Sequence, residues 1–357
     1  MGSQLNDAQL DWPVAGHHWA VQLLQRTLAP ASDVCGRQGP SHAYLFLGIA
    51  QVGKTTLARA FAQALLCTQP GERPCGVCRA CRLFQHGNHP DFRILQPLDK
   101  EGAVDRANGE LRAEQAATII HDVVLKPVEG QWRIFLVQDV HTANPSFLNK
   151  ILKTLEEPPP QAILVLTALD RASVLPTIVS RCQTLELRPV DTATIQHALQ
   201  AQWRASADQA AVLAHLANGR LGWAVDQLRF PERGQERLQT LETLWRLMAA
   251  DRIERLAFAE STAASRNSRH LFSMLETWSL WWRDVLLVQA GCADACANID
   301  QREQLQRVAG LLDRELVRSY LLTLRRIEGY LHHTVNTRLA LDVLMLKLPR
   351  FTEGPVV

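Results

Sequence analysis

Gly48-Ile49-Ala50-Gln51-Val52-Gly53-Lys54-Thr55 is the stretch on which the reading of the fold turns. It fits the phosphate-loop template, two glycines followed by lysine and a hydroxyl residue, at every fixed position. Its flanks fit as well: the apolar run Tyr44–Leu47 precedes it and the helical pattern Thr56–Leu66 follows. The glycines let backbone N–H groups turn inward around phosphate oxygens, and the helix points its positive end at them. Lys54 is placed to reach the β- and γ-phosphates, and the Thr55 hydroxyl to ligate Mg²⁺, so Gly48, Gly53, Lys54, Thr55 and Thr56 form the candidate nucleotide-binding set. ATP or ADP with Mg²⁺ suits such a loop. A nucleotide that is never exchanged, or none, is equally compatible with it.

Working outward, Ala20–Leu28 reads as a helix, Ala43–Leu47 as a strand, Arg133–Val137 and Ala162–Leu166 as further strands, and Pro145–Leu155 as a helix between them. Strands alternating with helices predict a parallel sheet covered on both faces. After Pro189 the strand signal fades. Thr192–Trp203, Ser206–Asn218, Gly222–Arg229, Gln235–Ala250 and most of Leu271–Lys347 carry apolar residues at helical spacing. The expected organisation is an α/β domain over 1–189, a helical lid over 190–240 and an all-helical domain over 241–357, with Phe351–Val357 frayed. Trp278, Trp281 and Trp282 share one helix face, a pattern of core packing.

Cys67, Cys75, Cys78 and Cys81 crowd just after the phosphate-loop helix. Two Cys-x2-Cys steps aim thiolates at one tetrahedral ion, and Cys67 at the helix end completes four soft ligands with no open position. This predicts a structural Zn²⁺ module over 67–81, against a bland alternative of reduced thiols. Cys35, Cys182, Cys292 and Cys296 are scattered and are expected to carry no metal.

Bulk properties exclude more than they identify. At 357 residues the chain exceeds one compact core, and with 47% hydrophobic and 21% charged residues it reads as globular. A formal charge of +2 gives little drive for unaided DNA binding. Met1–Trp12 lacks the basic and apolar regions of a secretory signal, and no apolar run is long enough for a bilayer. No membrane association and a cytoplasmic location are the expectation.

Several further segments resemble one family. A cysteine module placed just after a phosphate-loop helix is similar to the bacterial DNA polymerase III clamp-loader family of AAA+ proteins, and His42-Ala43-Tyr44-Leu45-Phe46 leads into the loop as it does there. His89-Pro90-Asp91-Phe92 looks like the delta-prime branch. The segment from Leu148 to Pro159, ending Leu155-Glu156-Glu157-Pro158-Pro159, is similar to a helix shared by the delta-prime and gamma/tau branches. Ser180-Arg181-Cys182 matches the clamp-loader Ser-Arg-Cys signature, and Asn336–Asp342 looks like the last helix of the family's collar domain. The resemblance implies an AAA+ fold with a lid and an oligomerising collar. It implies delta and gamma/tau subunits as partners in a hetero-pentamer, together with a sliding clamp and primed DNA. Arg181 becomes the arginine that reaches a neighbour's γ-phosphate, and base contacts fall loosely near Trp12–Gly16.

The chain departs from the family's motor subunits in three places. Where they carry Asp-Glu-x-His after a strand, this chain has Gln138-Asp139-Val140-His141. Gln138 has no charge for Mg²⁺, Asp139 is one CH₂ shorter than glutamate, and strand alternation is expected to turn Asp139 away from the metal position. The lid arginine of Gly-x-x-Arg is replaced by Gly222 in Gly219-Arg220-Leu221-Gly222. The sensor segment Thr167-Ala168-Leu169-Asp170 has little polar character beyond Thr167 and Asp170. These predict a largely non-hydrolysing subunit of the polymerase assembly whose own ATPase activity is weak or absent, rather than a gamma/tau-type ATPase. Glu156 and Glu157 read as a solvated helix end. A free-standing zinc-dependent nucleic-acid module is disfavoured because no basic stripe with interleaved aromatics surrounds the cysteines.

Overall fold

The computed structural model describes residues 12–28, 39–106, 109–265, 268–331 and 335–350; Cys35 and the expected fraying of Phe351–Val357 lie outside them. The chain forms two compact units, one of Met1–Ile195 with Gly219–Gly222, the other of Gln196–Asn218 with Trp223–Val357.

The first unit contains helices α1 (His18–Leu28), α2 (Lys54–Leu66), α3 (Arg79–Gln85), α4 (Ala113–Val123), α5 (Pro145–Glu156) and α6 (Pro176–Val179). Its strands are β1 (Ala43–Leu47), β2 (Phe92–Leu95), β3 (Arg133–Val137), β4 (Ala162–Ala168) and β5 (Gln183–Glu186). The strands make one parallel sheet in the order β2-β3-β4-β1-β5. Alternation along β1 sorts the core into two layers. Tyr44 and Phe46 pack with Leu57 and Phe61 of α2, whereas Ala43, Leu45 and Leu47 pack with Phe147, Ile151 and Leu155 of α5. The central strands β1, β3 and β4 are buried along their whole length, so they read as continuous apolar runs. β1 lies beside β4 rather than β2, so the chain switches direction at β1 and opens a crevice at the carboxyl ends of the central strands. Leu47 of β1 pairs with Ala168 of β4, and Val137 of β3 with Leu166, which brings the segments that follow them together.

The second unit is helical among the described residues: α7 (Thr192–Trp203, most of its length), α8 (Ala207–Leu216), α9 (Leu221–Arg229, from Trp223), α10 (Glu232–Ala249), α11 (Arg252–Ala264), α12 (Ser268–Gln289), α13 (Arg302–Leu311), α14 (Arg314–Leu331) and α15 (Thr337–Lys347). Trp278, Trp281 and Trp282 are fully buried in its core, with Trp245 edge-on to Trp281 and Trp282 edge-on to Tyr320. This is the core role their spacing predicts. Arg255 is buried there too, and its guanidinium donates to the carbonyls of Leu247, Met248, Met345, Leu348 and Pro349, closing the ends of α10 and α15. No described helix is long and apolar enough to cross a membrane.

Candidate functional site

The phosphate loop joins β1 to α2 at the crevice. Gly48 and Gly53 adopt φ of +146° and +116°, backbone states that side chains rarely tolerate. At Gly48 a Cβ would also lie 2.5 Å from the Leu187 carbonyl oxygen, so only glycine fits. Gly53 occupies the N-cap of α2 and offers no side-chain acceptor, so the first-turn N–H groups at Lys54, Thr55 and Thr56 have no side-chain cap. Thr55 is half-buried and Thr56 exposed. His17 supports the loop from beneath, its Nε2 3.0 Å from the Val52 carbonyl oxygen. Trp12 is buried beside Phe61 and donates from Nε1 to the Arg73 carbonyl, while Gly16 backs onto Val190.

Lys54 is only 5% exposed, and its Nζ donates to the carbonyls of Gly48 and Ile49 at 2.5 and 2.8 Å. Burial lowers its pKa to about 8, against an opposing pull from the Asp139 carboxylate. An ammonium enclosed by carbonyls and first-turn amides free of side-chain caps is a fitting cradle for a polyphosphate. The fit for Mg²⁺ is poorer, because the metal-side carboxylate is absent. The Gln138 side chain is buried and accepts from Gln96 Nε2 at 2.9 Å, and its backbone N–H extends the ladder to Leu95.

Asp139 corrects the alternation argument made from sequence. The strand ends at Val137, and Asp139 takes a left-handed φ of +54°, so the strict alternation of side chains no longer applies. Its carboxylate lies close enough to Lys54 to raise that lysine's pKa. It is held instead by Arg106, whose Nε and Nη2 both reach Oδ2, at 2.7 and 2.6 Å. The Asp139 N–H donates to the hydroxyl of buried Thr167, which ties the end of β3 to β4. Arg106 had no sequence signal: it lies 33 positions from Asp139, in an irregular segment.

The position of Gly222 is equally specific. The N–H of Gly222 donates to the Gln51 carbonyl at 2.9 Å, and a Cβ there would approach that oxygen to 2.8 Å. The phosphate loop is therefore pinned to residue 222 by a contact that no side chain permits without displacement.

Arg181 follows α6. Its Nη1 donates to the Thr177 carbonyl at 2.9 Å and to Ser180 Oγ at 3.3 Å, and its Nη2 meets Glu156 Oε1 at 2.8 Å. Glu156 is thus an ion-pair partner, whereas the sequence read it as part of a solvated helix end. Cys182, next in the chain, packs into the sheet core, and burial pushes its thiol up to about 12, so it is an inert anchor.

The four cysteines converge. Their Sγ atoms all lie within 4.8 Å of one another, with Cys67–Cys78 and Cys75–Cys81 at 4.0 Å. Zn–S bonds of about 2.3 Å in a tetrahedron separate sulfurs by about 3.8 Å, so the set fits a zinc ion. Backbone N–H groups of Cys75, Cys78 and Cys81 point at the sulfurs of Cys67, Cys75 and Cys78. Burial works against ionising Cys78, but N–H donation from Cys81 and contacts from Thr68 outweigh it and bring the thiol down to about 6. Cys67 at the end of α2 and Cys78 at the N-cap of α3 make the module a bridge between two helices.

Asp91 was quoted in the sequence only as part of a family motif. It is fully buried, and its carboxylate accepts N–H bonds from Val128, Glu129 and Gly130 at 2.7, 2.8 and 3.2 Å. It fixes the turn that feeds β3.

The sequence family described as DNA polymerase III, delta subunit, matches residues 26–191. A DNA polymerase III subunit delta' of Bacillus subtilis is 27% identical over 310 residues, covering 86% of this chain and 91% of the relative. The delta' subunit of Pseudomonas aeruginosa is 36% identical over 152 residues, 42% of this chain and 44% of the relative. The tau subunit of Escherichia coli is 35% identical over 160 residues, 44% of this chain and 23% of that longer protein.

Proposed function

The chain belongs to the delta-prime family of DNA polymerase III clamp-loader subunits, and from that premise we propose that it is a largely non-hydrolysing AAA+ scaffold that donates Arg181 to a neighbouring ATPase subunit. The observation that carries this reading is the state of the β3 end. Phosphate-loop ATPases hold Mg²⁺ with a carboxylate there and, in AAA+ proteins, polarise the attacking water with an adjacent glutamate. Here the first position is an uncharged amide bonded to Gln96, and the second is a short carboxylate bonded twice to Arg106. Tau relatives align with part of the chain, but hydrolysis of their kind requires groups that Gln138 and Gly222 do not supply.

In this reading the loop at Gly48–Thr56 holds ATP or ADP as a structural ligand, and zinc, bound by Cys67, Cys75, Cys78 and Cys81, supplies a rigid cross-link and no chemistry. The partners are delta and gamma/tau subunits in a hetero-pentamer that places a sliding clamp on primed DNA, with residues 1–189, 190–240 and 241–357 acting as nucleotide-type domain, lid and collar in the cytoplasm. Arg181 sits at the surface, 34% exposed, where its planar cation can stabilise charge spreading over the phosphoryl oxygens of a partner's ATP.

The test is steady-state ATP hydrolysis by an assembly of this chain with delta and gamma/tau subunits. Arg181→Ala is expected to lower turnover by about 10³-fold or more, the scale of an arginine finger, while the isolated chain stays at background. Robust hydrolysis by the isolated chain, abolished by Lys54→Ala, would overturn the proposal.

A further inference from the structure

We propose that Glu156 is a positioning residue for Arg181, setting the pose in which that guanidinium meets a partner's phosphate; this rests on the trans-acting role given to Arg181 above. Glu156 is the last residue of α5, a place where a carboxylate is repelled by the helix's own carbonyl end. Lysine or arginine suits that site better for helix stability. The charge is balanced by Arg181, 25 positions later, through the 2.8 Å contact of Oε1 with Nη2.

The fold gives this pair little reason to exist for its own sake. Glu156 and Arg181 are 49% and 34% exposed, and ion pairs this open contribute almost nothing to stability. What the pair does is fix a direction. A free arginine has four rotatable side-chain bonds, and a guanidinium that must be ordered at each encounter loses rate to that ordering. Here three groups fasten it from two elements: the Thr177 carbonyl and Ser180 Oγ from the end of α6, and Glu156 from the end of α5. Both elements are anchored in the same apolar layer, by Leu155 and by Ile178.

The donor count separates positioning from sequestration. Arginine carries five N–H groups. Thr177 and Ser180 accept hydrogen bonds from Nη1, and the Glu156 carboxylate sits against Nη2 as an ion pair. Among the described residues, nothing in the chain takes Nε–H or the second Nη2–H. The cation is therefore held by one part while two donors stay available to an incoming anion. A latch would saturate the group.

The test is a double-substitution cycle in the assembled clamp loader, with kcat and KM for ATP measured separately. Glu156→Ala is expected to lower kcat about tenfold with KM for ATP and assembly unchanged, well short of the loss from Arg181→Ala, since misplacing a group costs less than deleting it. Glu156→Gln keeps an oxygen acceptor at the same reach and is expected to stay within about threefold of the parent. Adding Glu156→Ala to Arg181→Ala is expected to cause no further loss, because Glu156 acts through Arg181. Thermal unfolding of the isolated chain should be the same for all variants. If Arg181→Ala is severe and Glu156→Ala neutral or activating, this inference fails and the proposed function stands. If both substitutions lower kcat independently, or Glu156→Ala lowers assembly instead, the positioning role is overturned. If Arg181→Ala itself is silent, the trans-acting role fails and takes this inference with it.

Discussion

Lys54 makes a prediction that can be worked through in numbers. Its ammonium is buried, with a pKa of about 8 in the folded chain against an ordinary value of 10.5. Below pH 8 both states hold the proton, and the folded chain bears the full burden of a desolvated charge. Between pH 8 and 10.5 the unfolded chain holds a proton that the folded chain has released, so stability rises with pH across that window. The gap corresponds to about 3 kcal/mol in all, of which about 2 kcal/mol falls between pH 7.5 and 9.5. Urea unfolding of the first unit at a series of pH values, for the parent and for Lys54→Met, isolates this lysine, because cysteines and tyrosines titrate alike in both. The parent is expected to gain about 2 kcal/mol relative to Lys54→Met on going from pH 7.5 to 9.5. Parallel curves would refute the burial argument. Saturating ADP with Mg²⁺ should flatten the difference, since a polyphosphate facing Lys54 restores its affinity for the proton. A difference unaffected by nucleotide would mean that the loop does not hold one.

Two further predictions concern the supports of the site. Purified chain is expected to carry one zinc per molecule by metal analysis, and Cys78→Ser to lose it together with heat resistance of the segment between α2 and α3; a folded parent without zinc would refute the fit drawn from the sulfur geometry. Asp91→Ala, which strands the N–H groups of Val128, Glu129 and Gly130, is expected to destabilise the first unit by about 3 kcal/mol in denaturant unfolding, and a loss below about 1 kcal/mol would mean that water replaces the carboxylate.

What could be read from sequence was local. The phosphate loop, the central strands β1, β3 and β4, the four clustered cysteines and the tryptophan core each declare themselves within a dozen or so neighbouring residues, by fixed spacing or by unbroken apolar runs. β2 and β5 escaped because both lie at sheet edges, where one side faces away from the core and residues such as Arg93 and Glu186 interrupt the apolar pattern. The side-chain direction of Asp139 was misread because alternation holds only while a strand lasts; β3 ends at Val137, and Asp139, two residues on, is itself left-handed. Arg106 with Asp139, Glu156 with Arg181, and Asp91 with the backbone N–H groups of Val128–Gly130 are polar contacts over 25 to 39 positions, which no periodicity marks.

The departures from a motor subunit are physically independent, and this bears on how the proposed non-hydrolysing state would be reversed. Gln138 removes a metal ligand, Arg106 neutralises the adjacent carboxylate, and Gly222 packs where an arginine would need its Cβ 2.8 Å from the Gln51 oxygen. Restoring an aspartate at 138 leaves Arg106 in place. Removing Arg106 leaves Asp139 one CH₂ too short and frees a carboxylate that further favours the charged form of Lys54. Installing arginine at 222 displaces the loop that the arginine is meant to serve. No single substitution therefore lies on a downhill path back to turnover. By contrast, Arg181 and the groups that orient it share no residue with any of these losses. In the proposed reading, therefore, loss of hydrolysis at the phosphate loop leaves the contacts that orient Arg181 untouched.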